Sequence, residues 1–180
     1  MANQKQKKQK LGNLVRLLDY SKYLYEQENQ RNEKLTFATN IYLVVITFAF
    51  TFLAGLLSWL FPESGNSSLI ADHRFQVALW VCFGISIVSI LLSLIFTLLV
   101  VKVRSFERLC NPKEFVVEAD YFETEERLIG SIISHYVVAT ERNFLVNNKK
   151  AKYLAYGLQT YIFGFILLLF ALTGFSIFGR

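Results

Sequence analysis

Three uninterrupted apolar runs, Leu35 to Phe61, Phe75 to Val101 and Leu154 to Phe178, contain no lysine, arginine, aspartate or glutamate. At about 1.5 Å of rise per residue each would reach roughly 37 to 40 Å as a helix, against about 30 Å for the hydrocarbon core of a bilayer. A helix satisfies its own backbone hydrogen bonds, so runs of this kind read as membrane spans. With 53% hydrophobic residues in a chain of 180, little material remains for a separate soluble core. The expected class is an all-α membrane protein: three transmembrane helices with a short collar of cytoplasmic helices. The first run begins only after a polar stretch and is longer than the apolar part of a signal peptide, so it reads as a retained anchor.

Lysine and arginine beside a span are held on the cytoplasmic side. Lys5, Lys7, Lys8, Lys10, Arg16, Lys22, Arg31 and Lys34 precede the first run, and nine basic residues from Lys102 to Lys152 separate the second from the third. Only Arg74 lies between the first two runs. The expected topology is therefore N-terminus inside and C-terminus outside. The net charge of +5 mostly reflects this bias. Contact of the Lys5 to Lys10 cluster with anionic lipid is the favoured use, and no specific nucleic-acid binding is expected.

The remaining boundaries follow from propensity and breakers. Residues 1–10 read as a disordered basic tail and 11–34 as a cytoplasmic helix, with Leu11, Leu14, Val15, Leu18 and Tyr25 on one side. No proline or glycine separates Asn13 from Gly55, so that helix should run unbroken into span 35–61. Pro62, Gly65 and Asn66 suit a turn in an extracytoplasmic loop, 62–74. Span 75–101 should continue as a helix to Cys110, before Asn111-Pro112. In the cytoplasmic region 102–153, Thr124 followed by Glu125 and Glu126 reads as a helix start. Leu128, Ile129, Ile132, Ile133, Tyr136, Val137, Phe144 and Leu145 then form a face able to pack on the N-terminal helix. Span 154–178 completes the chain.

Within the spans, the polar residues form stripes. Thr36, Asn40, Thr47, Thr51 and Ser58 fall within about 60° of one another at 100° per residue, and Glu33 extends that face. Uncharged hydroxyl and amide groups can line a hydrated pathway, or they can hydrogen-bond between helices. Cys82, Ser86, Ser89, Ser93 and Thr97 form a second stripe, whose small residues favour close helix packing. Gly157, Gly164 and Ala171 recur every seven residues on the third run, as in a left-handed packing seam.

Chemistry is sparse. The spans hold no ionisable group other than Cys82 and tyrosines, which disfavours proton-coupled transport. Two cysteines and two histidines give no metal-ligand spacing or disulfide framework, and no cofactor is implied. Glu114, Glu118, Asp120, Glu123, Glu125 and Glu126 cluster without a nucleophile or phosphate loop, and read as a solvated run docked on Lys149, Lys150 and Lys152. No enzyme is expected.

The stretch Tyr20 to Asn32, leading into Leu35 to Asn40, resembles the entry helix of small bacterial membrane proteins of the SLATT and Pycsar-effector type. Thr140 to Asn143 and Asn147 to Leu154 resemble the juxtamembrane stretch of the same group. The resemblance implies an oligomeric inner-membrane effector of anti-phage defence that is triggered to compromise the membrane. That group has two or four spans, where three are expected here, and no appended cyclic-nucleotide-binding domain is expected. The expected trigger is a separate soluble cytoplasmic sensor or activator.

The leading expectation is thus a homo-oligomer in the lipid bilayer that forms or gates a pore. The alternative is a non-conducting membrane-anchored scaffold that recruits a soluble partner. The topology is testable directly: with Cys82 and Cys110 replaced by alanine, a Ser67→Cys variant should react with an impermeant thiol reagent in intact cells. Reaction only after lysis would reverse the assigned orientation.

Overall fold

The computed structural model describes residues 2–60, 73–103 and 124–178. Three helices account for nearly all of them: α1 (Ala2–Leu60), α2 (His73–Lys102) and α3 (Glu125–Phe178). Each contains a stretch long and apolar enough to cross a membrane. With 59, 30 and 54 residues, their contours are about 90, 45 and 80 Å, so α1 and α3 far exceed a bilayer's thickness.

Local sequence explains the ends. The helix α1 starts at Ala2, not after a disordered tail, because the lysines and glutamines of its first ten residues are good helix formers uninterrupted by proline or glycine. At the start of α3, the Thr124 carbonyl accepts the N–H groups of Arg127 and Leu128 at 3.1 and 3.2 Å. Glu125 and Glu126 in the first turn complement the helix dipole. The helix α2 ends at Lys102, short of the expected Cys110. Val103 is not helical, although its N–H still closes the last turn onto Leu99 at 3.2 Å. Three valines at positions 100, 101 and 103 lower helix propensity there. The turn expected at Pro62, the stop at Asn111-Pro112 and the connector Lys113 to Glu123 lie outside the described residues.

The chain divides into two compact units, one of residues 1–35 with 104–149 and one of 36–103 with 150–180. In the first, α1 and α3 run parallel: Lys10 meets Glu126 at 2.8 Å and Arg31 meets Asn148 at 2.8 Å, so both helices advance together. Tyr25 packs edge-on against Tyr136 at 5.7 Å between ring centroids. Ser21 of α1 and Ile129, Ile133, Ala139, Asn143 and Asn147 of α3 are buried. Val15, Val137, Phe144 and Leu145, expected on the packing face, are instead exposed. Two helices in contact bury a narrow seam of positions three and four apart, and residues one step outside it stay at the surface.

In the second unit α2 runs antiparallel to α3. Ser86 bonds Gly164, while further along α2 Thr97 lies beside Gly157. Leu53, Leu79, Phe83, Ile90, Leu168, Ala171 and Phe175 form the core. The buried positions of α1 are Thr39, Tyr42, Ile46, Ala49 and Leu53, again spaced by three and four. Backbones come close at Gly164, where an added Cβ would stand 2.9 Å from Ser89 Cβ and 3.0 Å from the Ser86 carbonyl oxygen. Neither is the end of a flexible side chain. Gly84, by contrast, faces open space.

Gly164→Ala should therefore destabilise the protein by about 1–3 kcal/mol through overpacking. Gly84→Ala should stabilise it by about 0.5–1 kcal/mol through helix propensity alone. Thermal unfolding of the two variants in detergent would give shifts of opposite sign.

Candidate functional site

The described polar groups of the apolar helices divide into those used inside the chain and those facing outward. On α2, Ser86, Ser89, Ser93 and Thr97 are buried, and Cys82 is half-buried. Ser86 Oγ donates to the Gly164 carbonyl at 2.6 Å, and Ser93 Oγ lies 3.3 Å from Tyr42 Oη. Ser89 and Thr97 donate to carbonyls of their own helix, at Ile85 and Ser93. Opposite them Gly157, Gly164 and Ala171 are buried on α3. This side of the unit is a packing seam.

Tyr42 is the member that sequence reasoning missed. Its hydroxyl donates to the Gly157 carbonyl at 2.9 Å, and its ring meets Tyr161 edge-on at 5.7 Å. The signal for it was the spacing of Thr39, Tyr42, Ile46 and Ala49, which the outward stripe of threonines masks in a reading by polarity alone.

On α1 that stripe takes the other side. Thr36, Asn40, Thr47 and Thr51 are exposed, as is Glu33 in the first unit. Ser58 belongs to α1, with its side chain outside the described residues. Thr47 and Thr51 donate to Leu43 and Thr47 carbonyls at 2.8 and 3.1 Å. Backbone carbonyls thus satisfy the hydroxyl donors, leaving the oxygen lone pairs outward. Glu33 accepts from Asn29 at 3.4 Å. The Asn40 side chain makes no hydrogen bond to any described residue. Beside this stripe stand the most exposed apolar side chains of α1: Phe37, Val44 and Phe48, at 68%, 70% and 74%.

The first unit holds a polar network that the sequence reading did not anticipate. Asn147 Nδ2 donates to both the backbone carbonyl and the carboxylate of Glu28, at 2.9 and 2.8 Å. The same carboxylate lies 3.6 Å from Arg31, whose guanidinium also donates to Asn148 and sits over the Phe144 ring. Asn147 is fully buried, with its Oδ1 unpartnered. Extending the Gly157–Gly164–Ala171 repeat backward by sevens meets Lys150, Asn143 and Tyr136, and Asn147 falls four residues after Asn143 and three before Lys150, a seam spacing that was the available signal. The expected docking of the acidic run on Lys149, Lys150 and Lys152 is corrected at Glu126, which bonds Lys10 of α1 instead. Glu114, Glu118, Asp120 and Glu123 lie outside the described residues.

Lys10 holds the Glu126 carboxyl below its ordinary value by hydrogen bonding. A depressed carboxyl pKa stabilises the fold above the ordinary value and loses that contribution as pH falls through the lowered one. Burial pushes the Lys150 ammonium in the same direction, below the usual lysine range. Among the described residues, no group of three histidine, cysteine or acidic side chains is placed to hold a metal ion. Comparison with protein-family models, curated proteins and solved structures finds no match to this chain.

Asn147→Asp would set a second carboxylate against Glu28 in a buried site and should cost about 3 kcal/mol. Glu28→Gln in the same chain should restore most of the loss, since one amide can then donate to the remaining carboxylate. Acidification should also relieve the single variant, because protonating either carboxyl removes the repulsion. Proteolysis of the purified protein at neutral and mildly acidic pH would read all three effects.

Proposed function

We propose that this chain is a multi-pass protein of a bacterial inner membrane, with its N-terminus cytoplasmic and its C-terminus outside. In this reading it is a homo-oligomeric effector. The α1 helices line a pore that compromises the membrane, and the first unit gates it in response to a soluble cytoplasmic activator. Anti-phage defence is the role implied by the resemblance of Tyr20 to Asn40 to the SLATT and Pycsar-effector group. The three long apolar helices support a membrane location. No catalytic role is proposed.

The observation that carries the pore is Asn40, an exposed amide without a hydrogen-bond partner among the described residues, at the head of the stripe Thr36, Asn40, Thr47 and Thr51. Leaving an amide unpaired in hydrocarbon costs roughly 4–8 kcal/mol, so water or another polar group must meet it. The α2 stripe is already consumed by packing, so in this reading the α1 stripe, longer than the isolated exposed Gln159 and Thr173 of α3, is the polar face that meets water. Glu33 at its cytoplasmic end would favour cations near the mouth.

One observation favours the non-conducting scaffold. The Thr47 and Thr51 hydroxyls donate to their own helix, so both can face lipid or a neighbouring helix without water.

Replacing Thr47 and Thr51 together with leucine separates the two readings, with Asn40→Leu as a companion. For a pore, liposome flux should be lost while the oligomer mass in detergent is unchanged, because a more apolar lining dewets. For a scaffold, any interhelical bonds removed are worth about 0.6 kcal/mol each, and oligomer mass should fall with no flux to lose.

A further inference from the structure

Within the first unit, α1 and α3 leave a groove of about 400 Å³ between them, lined by Leu24, Glu28, Val137, Glu141 and Phe144. Val137 and Phe144 remain 50% and 47% exposed. On α3 Val137, Glu141 and Phe144 lie within about 60° of one another, and roughly 100° further round the same helix runs a second line. It consists of Val138, Arg142, Leu145 and Lys149, all exposed. A pair of parallel helices outside a bilayer that exposes valine, leucine and phenylalanine on two separate lines has not finished burying its apolar surface.

The two lines complement each other in chemistry. The groove is apolar with two carboxylates, and the ridge is apolar with two cations. They also match in height. Copies sharing one membrane insert in the same direction to the same depth, so equal residue numbers lie level. Arg142 is one residue from Glu141, about 1.5 Å along the axis. Glu28 is level with Asn147, whose amide it accepts at 2.8 Å, and Lys149 lies two residues, about 3 Å, beyond it. No axial slip is needed to bring each cation to a carboxylate.

We infer that the groove of one copy receives the Val138–Arg142–Leu145–Lys149 ridge of a second copy, with Arg142 on Glu141 and Lys149 on Glu28. Ridge and groove are different surfaces, so the contact is head-to-tail and closes by repetition into a ring. This assigns the subunit interface of the proposed oligomer, and it rests on that reading.

The test uses the full chain in native membranes, with Cys82 and Cys110 replaced by alanine. A chain carrying both Leu145→Cys and Phe144→Cys, positions one residue apart in height across the contact, should yield a ladder of covalent multimers on oxidation. Two singly substituted chains expressed together should yield only a mixed dimer, and Leu145→Cys alone should yield none. Glu141→Lys and Arg142→Glu should each shift the detergent-solubilised mass from oligomer to monomer, and the two together in one chain should restore it. Rescue by the double variant excludes simple misfolding. Dimers from Leu145→Cys alone would replace the head-to-tail contact with a two-fold one and overturn the inference. No cross-link in a complex of oligomeric mass would overturn this interface and leave the oligomer standing. No cross-link with a monomeric mass for the unsubstituted protein would overturn both.

Discussion

The approach of α2 to α3 at Gly164, close enough for Ser86 to donate to its carbonyl at 2.6 Å, governs the arrangement of the second unit. Any side chain at 164 would collide with Ser86 and Ser89, so the glycine lets two helix backbones come together. Helices with apolar surfaces gain little by leaving lipid for one another, and packing at short range with hydrogen bonds has to supply the attraction. Glycine on one side and serine on the other supply both. With the α2 hydroxyls spent in this way, the polar stripe of α1 is turned to the outside.

A different balance holds the first unit. Its seam begins with aliphatic and aromatic side chains at Ile129, Ile133 and Tyr136 and turns polar at Asn143 and Asn147, which are fully buried. The amide of Asn147 reaches Glu28 only when α1 and α3 stand in one register, because a slip by a helical turn would leave the buried amide without its acceptors. Polar residues in a helical seam characteristically trade stability for register. Here the exchange fixes the height of Glu28 against α3.

The outward faces of the two units differ in chemistry. In the second unit, hydroxyls such as Thr47 and Thr51 satisfy their donors within their own helix and so tolerate either an apolar or an aqueous surrounding. In the first, exposed Val137, Val138, Phe144 and Leu145 leave apolar surface unburied.

The sequence by itself determined the helical class, the three apolar stretches and the unbroken course of α1, because charge-free runs of this length and the absence of breakers admit few alternatives. It also carried the seven-residue repeat at Gly157, Gly164 and Ala171. The small residues of the α2 stripe pointed to close packing, but the side taken by the α1 stripe was decided only by the tertiary structure. Hydroxyls and an amide can bond between helices or face outward, and the choice depends on which helix meets the glycines of α3. The helical state of residues 2–10 was misread because charge and low complexity were weighed above the helix propensity of lysine and glutamine. Val137, Phe144 and Leu145 were misassigned for a related reason: an apolar residue on a helix announces that it needs a partner, but not whether that partner belongs to the same chain.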